Sequence, residues 1–192
     1  MNTVVIFDLE WNSWKGNYKL NNNLVEIRQK WQFRNIIQIG AIKFNYKKYE
    51  IIDEINIYVK TENIFLHNYI VNLTKIDIFT IKTKGYFFFK ANKIFNRFIE
   101  DANIVLCNGN DFDVYKENLK KHRLEDIFVK KKKINIRNYL KKKFFLNEEK
   151  VSSPNLLSLK FFKSHDALND AKKIFFYIKS KNIKISDIKK II

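Results

Sequence analysis

Thr3-Val4-Val5-Ile6-Phe7-Asp8-Leu9-Glu10 decides how this chain is read. Its opening residues are β-branched or aromatic, and residues 3–9 read as a short strand buried at the centre of a sheet. Side chains at i and i+2 share one face of a strand. Asp8 and Glu10 therefore project together, while Leu9 points the other way into the core. Two carboxylates held that close repel each other unless a cation lies between them. The cation suited to hard oxygen ligands is Mg²⁺ or Mn²⁺. The competing reading is a solvated strand end that carries two ordinary acids.

Outward from this strand, residues 11–34 hold Trp11, Trp14, Trp31 and three consecutive asparagines, and read as a long irregular insertion. Residues 35–46 and 50–59 read as a second and third strand joined by a short turn. Helical spacing of Phe88, Ala91, Phe95 and Phe98 predicts a helix over 88–100, and residues 103–107 a buried strand. A helix over 111–121 follows, then a fifth strand at 133–136 and a basic helix over 137–145. Two more helices are expected at 155–163 and 165–180, with a short one at the C-terminus. This order predicts an α/β fold, a mixed five-stranded sheet with helices on both faces. Ligands in such sheets bind at the C-terminal ends of central strands, which is where Asp8 and Glu10 lie. No repeat or Pro/Gly-rich linker divides the chain, so residues 1–192 read as one domain.

Two further clusters carry candidate chemistry. In Ser164–Ala171, Ser164 is a plausible N-cap, and Asp170 sits one turn into a helix among small apolar residues. An acid there is costly unless paired or metal-bound, and His165 is placed to reach the same spot. In Cys107–Asp113 a buried strand breaks into a helix with Asp111 and Asp113 at its N-terminus, where the helix dipole favours a carboxylate. Ordinary capping or surface acids explain each cluster taken singly. Together they supply four carboxylates and one histidine, a set able to hold two divalent ions and one base. Two metals about 3.5–4 Å apart clamp both oxygens of an in-line phosphoryl displacement.

Composition narrows the partners. The chain has 192 residues, with 37 Lys and Arg against 20 Asp and Glu, a net charge of +17. A polyanion is the natural counterpart. The charge is partly discounted by a general enrichment in Lys, Asn, Ile, Phe and Tyr, which looks like compositional bias. Residues 116–143 nonetheless concentrate 12 basic against 3 acidic side chains. Lys120, Lys121, Lys130, Lys131, Lys132 and Lys133, with Lys141–Lys143, are thus candidates for guiding a nucleic-acid strand. The bland alternative is a solvated helix face. The single cysteine, Cys107, leaves no disulfide partner and suits a reducing, cytoplasmic setting. No apolar run reaches the roughly 18 residues of a membrane span, and no signal-peptide pattern opens the chain.

The motifs taken in order resemble the DEDDh-type 3′–5′ exonucleases of the RNase T and DNA polymerase III epsilon superfamily, in their Eri-like and KapD-like branch. The matching segments are Phe7–Trp11 (FDLEW), Ile36–Lys43 (IIQIGAIK), Leu73-Thr74 and Ser164–Ala171 (SHDALNDA). The resemblance runs from the first strand to the last long helix. The chain departs from the family at Asn108, where an aromatic is usual, at Lys75 in place of a glycine, and in a trimmed segment before His165. The spacing leaves Asp111 or Asp113 as the middle acid. Asp111 is favoured, because Asp111–Leu119 matches the family's helix register.

This resemblance implies an RNase H-like fold and two Mg²⁺ or Mn²⁺ ions held by Asp8, Glu10, Asp111 and Asp170. It implies His165 as general base, and attack at the 3′ end of single-stranded RNA or DNA. Trp11, next to Glu10, becomes a candidate for stacking on a terminal base. A DNA proofreading or repair exonuclease carries the same residues. A non-catalytic nucleic-acid-binding module would have lost some of them.

Overall fold

The computed structural model describes residues 2–12, 16–20, 23–27, 34–60, 66–145, 148–151 and 165–191. The expected helix at 155–163, Ser164, Trp14 and Trp31 fall outside them.

The first strand, β1 (Thr3–Asn12), is buried from Val4 to Glu10, as its unbroken apolar run requires. It pairs antiparallel with β4 (Asn35–Asn45), which turns back antiparallel into β5 (Glu50–Lys60). On its other side β1 pairs in parallel with β7 (Ile104–Cys107), and β7 with β8 (Lys132–Asn135). The sheet is mixed, as expected, but it has six strands rather than five. Tyr86–Phe87 forms a two-residue edge strand, β6, parallel to β5, and the strand order is β6-β5-β4-β1-β7-β8. A two-residue strand has no alternation to detect, so periodicity passes over it. Part of the expected irregular insertion is also regular. Gly16–Leu20 (β2) and Asn23–Ile27 (β3) pair as a separate antiparallel hairpin.

Helices cover both faces. Val4 and Ile6 on β1 and Ile42 and Phe44 on β4 share one core with α5 (Ile136–Phe144), α7 (Ala167–Ser180) and α8 (Ile185–Ile191). Val5, Phe7 and Leu9 share the opposite core with α3 (Phe88–Ile99) and α4 (Asp111–Lys121). Two short helices, α1 (Asn68–Thr74) and α2 (Ile78–Lys84), pack a third cluster around Ile37. A four-residue helix, α6 (Glu148–Val151), follows α5.

The pairing of β1 with β4 slips beyond Glu10. Glu10 faces Gln38, but Trp11 faces Ile36, so Ile37 is bulged out. Such a bulge re-aims side chains, and here it lies beside the acids of β1.

Candidate active site

Even-numbered residues of β1 face α7. Val4 and Ile6 fill that face as core, and Asp8 and Glu10 extend it toward the strand's end, 8% and 9% exposed. The acids thus keep the alternation of a buried strand while lying where its apolar cover stops.

Gly40 and Gln38 bring α7 to them. Gly40 pairs with Asp8 across the strands. A Cβ built on Gly40 would lie 2.0 Å from the Leu168 backbone nitrogen and 2.1 Å from the Ala167 carbonyl carbon. Only glycine lets the first turn of α7 cross the sheet this closely. Gln38, fully buried opposite Glu10, then clamps that turn. Its Oε1 accepts from the Ala167 N–H at 3.1 Å, and its Nε2 donates to Asp166 Oδ2 at 3.1 Å and to Asn56 Oδ1 at 2.9 Å. Asp166, not Ser164, is the N-cap of α7, with Oδ1 accepting from the Asn169 N–H at 3.0 Å. The helix therefore starts at Ala167, two residues later than the sequence pattern implies.

His165 precedes the cap in a left-handed conformation, φ 58°. Its backbone N–H donates to Asp170 Oδ2 at 3.1 Å, folding the chain back over the first turn of α7. Asp170 is 1% exposed, and its Oδ1 accepts from Lys173 Nζ at 2.9 Å. One ligand atom each from Glu10, His165 and Asp170 lie within 4.8 Å of one another.

Asp111, the first residue of α4, enters from the other side. It is 3% exposed, and its Oδ1 accepts from the Leu9 N–H, between Asp8 and Glu10, at 3.1 Å. Asp113 instead lies exposed on α4, where its charge acts on Arg34. The loop before Asp111 is pinned by Asn135 Nδ2, which donates to the Gly109 carbonyl at 2.7 Å, and by Arg137, which donates to the Asn108 carbonyl at 2.9 Å.

Burial and like charge leave these carboxylates reluctant to ionise. Glu10 is pushed up to about 8, first by burial and then by Asp170, Asp111 and Asp166. Asp111 is raised to about 6 by burial, against the lowering effect of its N–H donors. Asp170 is also raised by burial, with Lys173 opposing. Burial lowers His165, so the imidazole is neutral near pH 7 and free to accept a proton. A cluster of buried hard oxygen donors that disfavour one another's ionisation fits divalent cations.

A family model described as "RNase_T: Exonuclease" matches residues 5–175, most of the chain. The chain belongs to this exonuclease family. It is a nuclease, a phosphodiester hydrolase, as its motifs had implied. Its fold is shared with a 3′-exonuclease solved for its recognition of the histone mRNA stem-loop (TM-score 0.76, 17% identity, 95% of this chain and 84% of that one). It is shared with the nuclease domain of 3′hExo, a DEDDh family member bound to rAMP (TM-score 0.75, 19% identity, 94% and 92%). It is shared also with E. coli Exonuclease I in complex with a dA16 oligonucleotide (TM-score 0.73, 14% identity, 98% and 42%). No curated protein matches the chain in sequence.

The exonuclease fold does not gather every residue named from the sequence. Trp11 is half-buried and packs with Phe7 and Leu9, in the core on the face of β1 opposite the acids. Lys121 lies at the acidic end of the sheet, where Nζ donates to Asn35 Oδ1 at 2.7 Å and Asn35 pairs with Asn12. Lys120 precedes it, exposed. The run Lys130–Lys133 lies elsewhere. Lys132 pairs with Ile104, and Ile104 with Val4, which sets the run at the opposite end of β1 from Glu10. Lys131 donates to the Glu100 carbonyl at 2.6 Å, and Lys133 lies 4.0 Å from Asp126.

Gln38, Gly40 and Lys173 carry positioning roles that the sequence reading did not assign. A signal existed for each. Gln38 is the one polar side chain within the apolar run Ile36–Ile42, Gly40 interrupts the same run, and Lys173 follows Asp170 at i+3.

Proposed function

We propose that this exonuclease removes nucleotides from the 3′ end of single-stranded nucleic acid, RNA in preference to DNA, as a single domain. Asp8, Glu10, Asp111 and Asp170 would hold two divalent cations, Mg²⁺ or Mn²⁺, with His165 as general base. The observation that carries this reading is the convergence of four nearly buried carboxylates from β1, α4 and α7, beside a neutral histidine.

When bound, the cations supply Lewis acidity toward the phosphodiester and its attacking water. The chain's own part is to hold the acids in register. Asp8 and Glu10 share a strand face, the Leu9 N–H fixes Asp111, and the His165 N–H with Lys173 Nζ fixes Asp170. His165 takes the proton of the attacking water, for which a neutral imidazole is suited. The products are nucleoside 5′-monophosphates and a strand shortened at its 3′ end. Histone mRNA stem-loop recognition by one structural neighbour supports the preference for RNA. The lone buried Cys107 supports a cytoplasmic setting, and no helix among the described residues is long and apolar enough to cross a membrane.

The test is degradation of 5′-end-labelled RNA, single-stranded DNA and duplexes, with Mg²⁺, with Mn²⁺ and with EDTA. Stepwise shortening from the 3′ end that stops in EDTA, and in Asp8→Ala and His165→Ala variants, is expected. Intact substrate in every lane, or variants that match the wild type, would overturn the proposal.

A further inference from the structure

The exposed aromatic residues are not spread evenly over the described surface. Tyr86, Phe87 and Phe89 surround the buried Phe88 where β6 runs into α3, and are 40%, 55% and 64% exposed. Three neighbouring rings left in water at one site call for a partner, because an isolated exposed ring is unremarkable but a cluster is not. Two carry an ammonium group over the ring face: Lys60 Nζ lies 4.7 Å from the centroid of Phe87, and Lys90 Nζ lies 4.3 Å from that of Tyr86. Residues 66–97 hold six Lys or Arg and a single acid, Asp77. That acid is occupied as the N-cap of α2, accepting from the Thr80 N–H at 2.6 Å.

The register locates this patch relative to the acids. Glu10 faces Gln38, and Gln38 faces Tyr58, while the next residue of β5, Val59, faces Tyr86. The patch therefore lies at the same end of the sheet as the carboxylates and three strand spacings away in the plane, with Tyr86 on the face of Val59, opposite the acids. At about 4.8 Å each, this is roughly 14 Å. A stacked single strand advances about 3.4 Å per nucleotide, so the in-plane gap alone corresponds to about four nucleotides. Rings beside lysines match the two surfaces of a single strand, since bases stack on the rings and phosphates meet the ammonium groups. A second copy of this chain would bring like charge against like.

We propose that Tyr86, Phe87 and Phe89, with Lys60 and Lys90, bind single-stranded nucleic acid four or more nucleotides inside the end held at the carboxylates. This rests on the nuclease reading for its geometry, but it does not need cleavage to be tested. Fluorescence anisotropy in EDTA with a labelled 12-nucleotide single strand reads affinity for wild type, for the Phe87→Ala/Phe89→Ala double variant and for Lys60→Gln/Lys90→Gln. The aromatic variant is expected to weaken binding by on the order of ten-fold or more. The lysine variant is expected to flatten the dependence of log affinity on log salt by about 1.4, at about 0.7 per phosphate contact. A dinucleotide, too short to reach the patch, is expected to be bound and cleaved equally by all three proteins. The variants change exposed side chains apart from the half-buried Lys60, and equal melting temperatures verify folding.

Unchanged 12-mer affinity in both variants overturns the proposal. So does a loss that is equal for the dinucleotide. A change in sedimentation from dimer to monomer with oligonucleotide affinity unchanged also overturns it, and assigns the patch to self-association. If no substrate is cleaved but 12-mer binding still depends on the patch, the nuclease reading falls and the binding surface stands.

Discussion

Replacing Gly40 by alanine tests the geometry on which the whole site depends. The added methyl carbon would lie 2.0 Å from the Leu168 nitrogen and 2.1 Å from the Ala167 carbonyl carbon, both backbone atoms that no rotamer can clear. Ordinary contact begins at 3.4 Å, so the first turn of α7 must retreat by roughly 1.4 Å, the difference between the two distances. Overpacking of this kind costs about 1–3 kcal/mol. The retreat also stretches the bonds from Gln38 to Ala167 and Asp166, worth about 1 kcal/mol each. A loss of about 3 kcal/mol corresponds to roughly 6–12 °C in melting temperature for a chain of this size. Catalysis suffers separately, because Asp170 and His165 ride on this turn. A displacement near 1 Å typically lowers rate by about 10²-fold. Thermal unfolding followed by fluorescence, beside timed degradation of an end-labelled oligonucleotide, reads both effects. A Gly40→Ala protein that melts and cleaves like the wild type would refute the claim that this glycine sets the helix against the acids.

Three more outcomes are expected. Glu10, raised to about 8 from an ordinary 4.5, and Asp111, raised to about 6, favour their protonated forms in the folded protein. Their metal-free folded state is most favoured below the ordinary carboxylate range and loses stability as pH rises through 6 and 8; melting temperatures in EDTA should fall from pH 5 to 8.5, Mg²⁺ should flatten the fall, and a flat EDTA profile would contradict the burial argument. Lys173→Met leaves Asp170 buried without its cation, so the metal-free protein should lose about 3–5 kcal/mol at neutral pH, and calorimetry should show Mg²⁺ narrowing the deficit; an equal deficit with and without Mg²⁺ would count against Asp170 as a ligand. Asp111→Asn should slow cleavage at least 10²-fold, whereas Asp113→Asn, a surface change, should stay within about twofold; the reverse order would reassign the middle acid.

Strand β1 was legible because its burial leaves one chemical solution, an unbroken apolar run ending in acids on one face. The burial of Asp170 was signalled by its place among Ala167, Leu168 and Ala171, although a helix-surface acid was the competing reading. What the sequence hid depends on contacts distant along the chain. Asp111 and Asp113 both begin one helix; the helix register favours Asp111, but the Leu9 N–H that holds it, 102 residues away, is invisible to any local pattern. Asp166 reads as a surface acid until Gln38 is seen to reach it. The lysine run 130–133 is one block in sequence, but β8 is parallel to β1, and its first residues therefore start at the end where β1 starts. Local charge density carries no information about which end of a sheet it will occupy.

Lys173 and Gln38 also explain how a cluster of four acids can fold before any cation arrives. At about 1% exposure a lone carboxylate at Asp170 would neutralise itself by protonation or distort its surroundings. The i+3 lysine on the same helix gives it a counter-charge within the element, available as soon as the helix forms. Gln38 adds no charge, but it ties the helix start to the strand opposite Glu10, so that the two halves of the site dock through neutral hydrogen bonds rather than across the repulsive gap. Asp111 is set independently, by a backbone donor on β1. The scaffold thus holds the carboxylates together without relying on the ions they are arranged to bind. The remaining repulsion is felt at Glu10, which burial and then the charges of Asp170, Asp111 and Asp166 push up to about 8, and which lies within 4.8 Å of His165 and Asp170. Cation binding should therefore release a proton from Glu10, so metal affinity should rise with pH up to about 8, and an affinity flat across that range would count against Glu10 as a ligand.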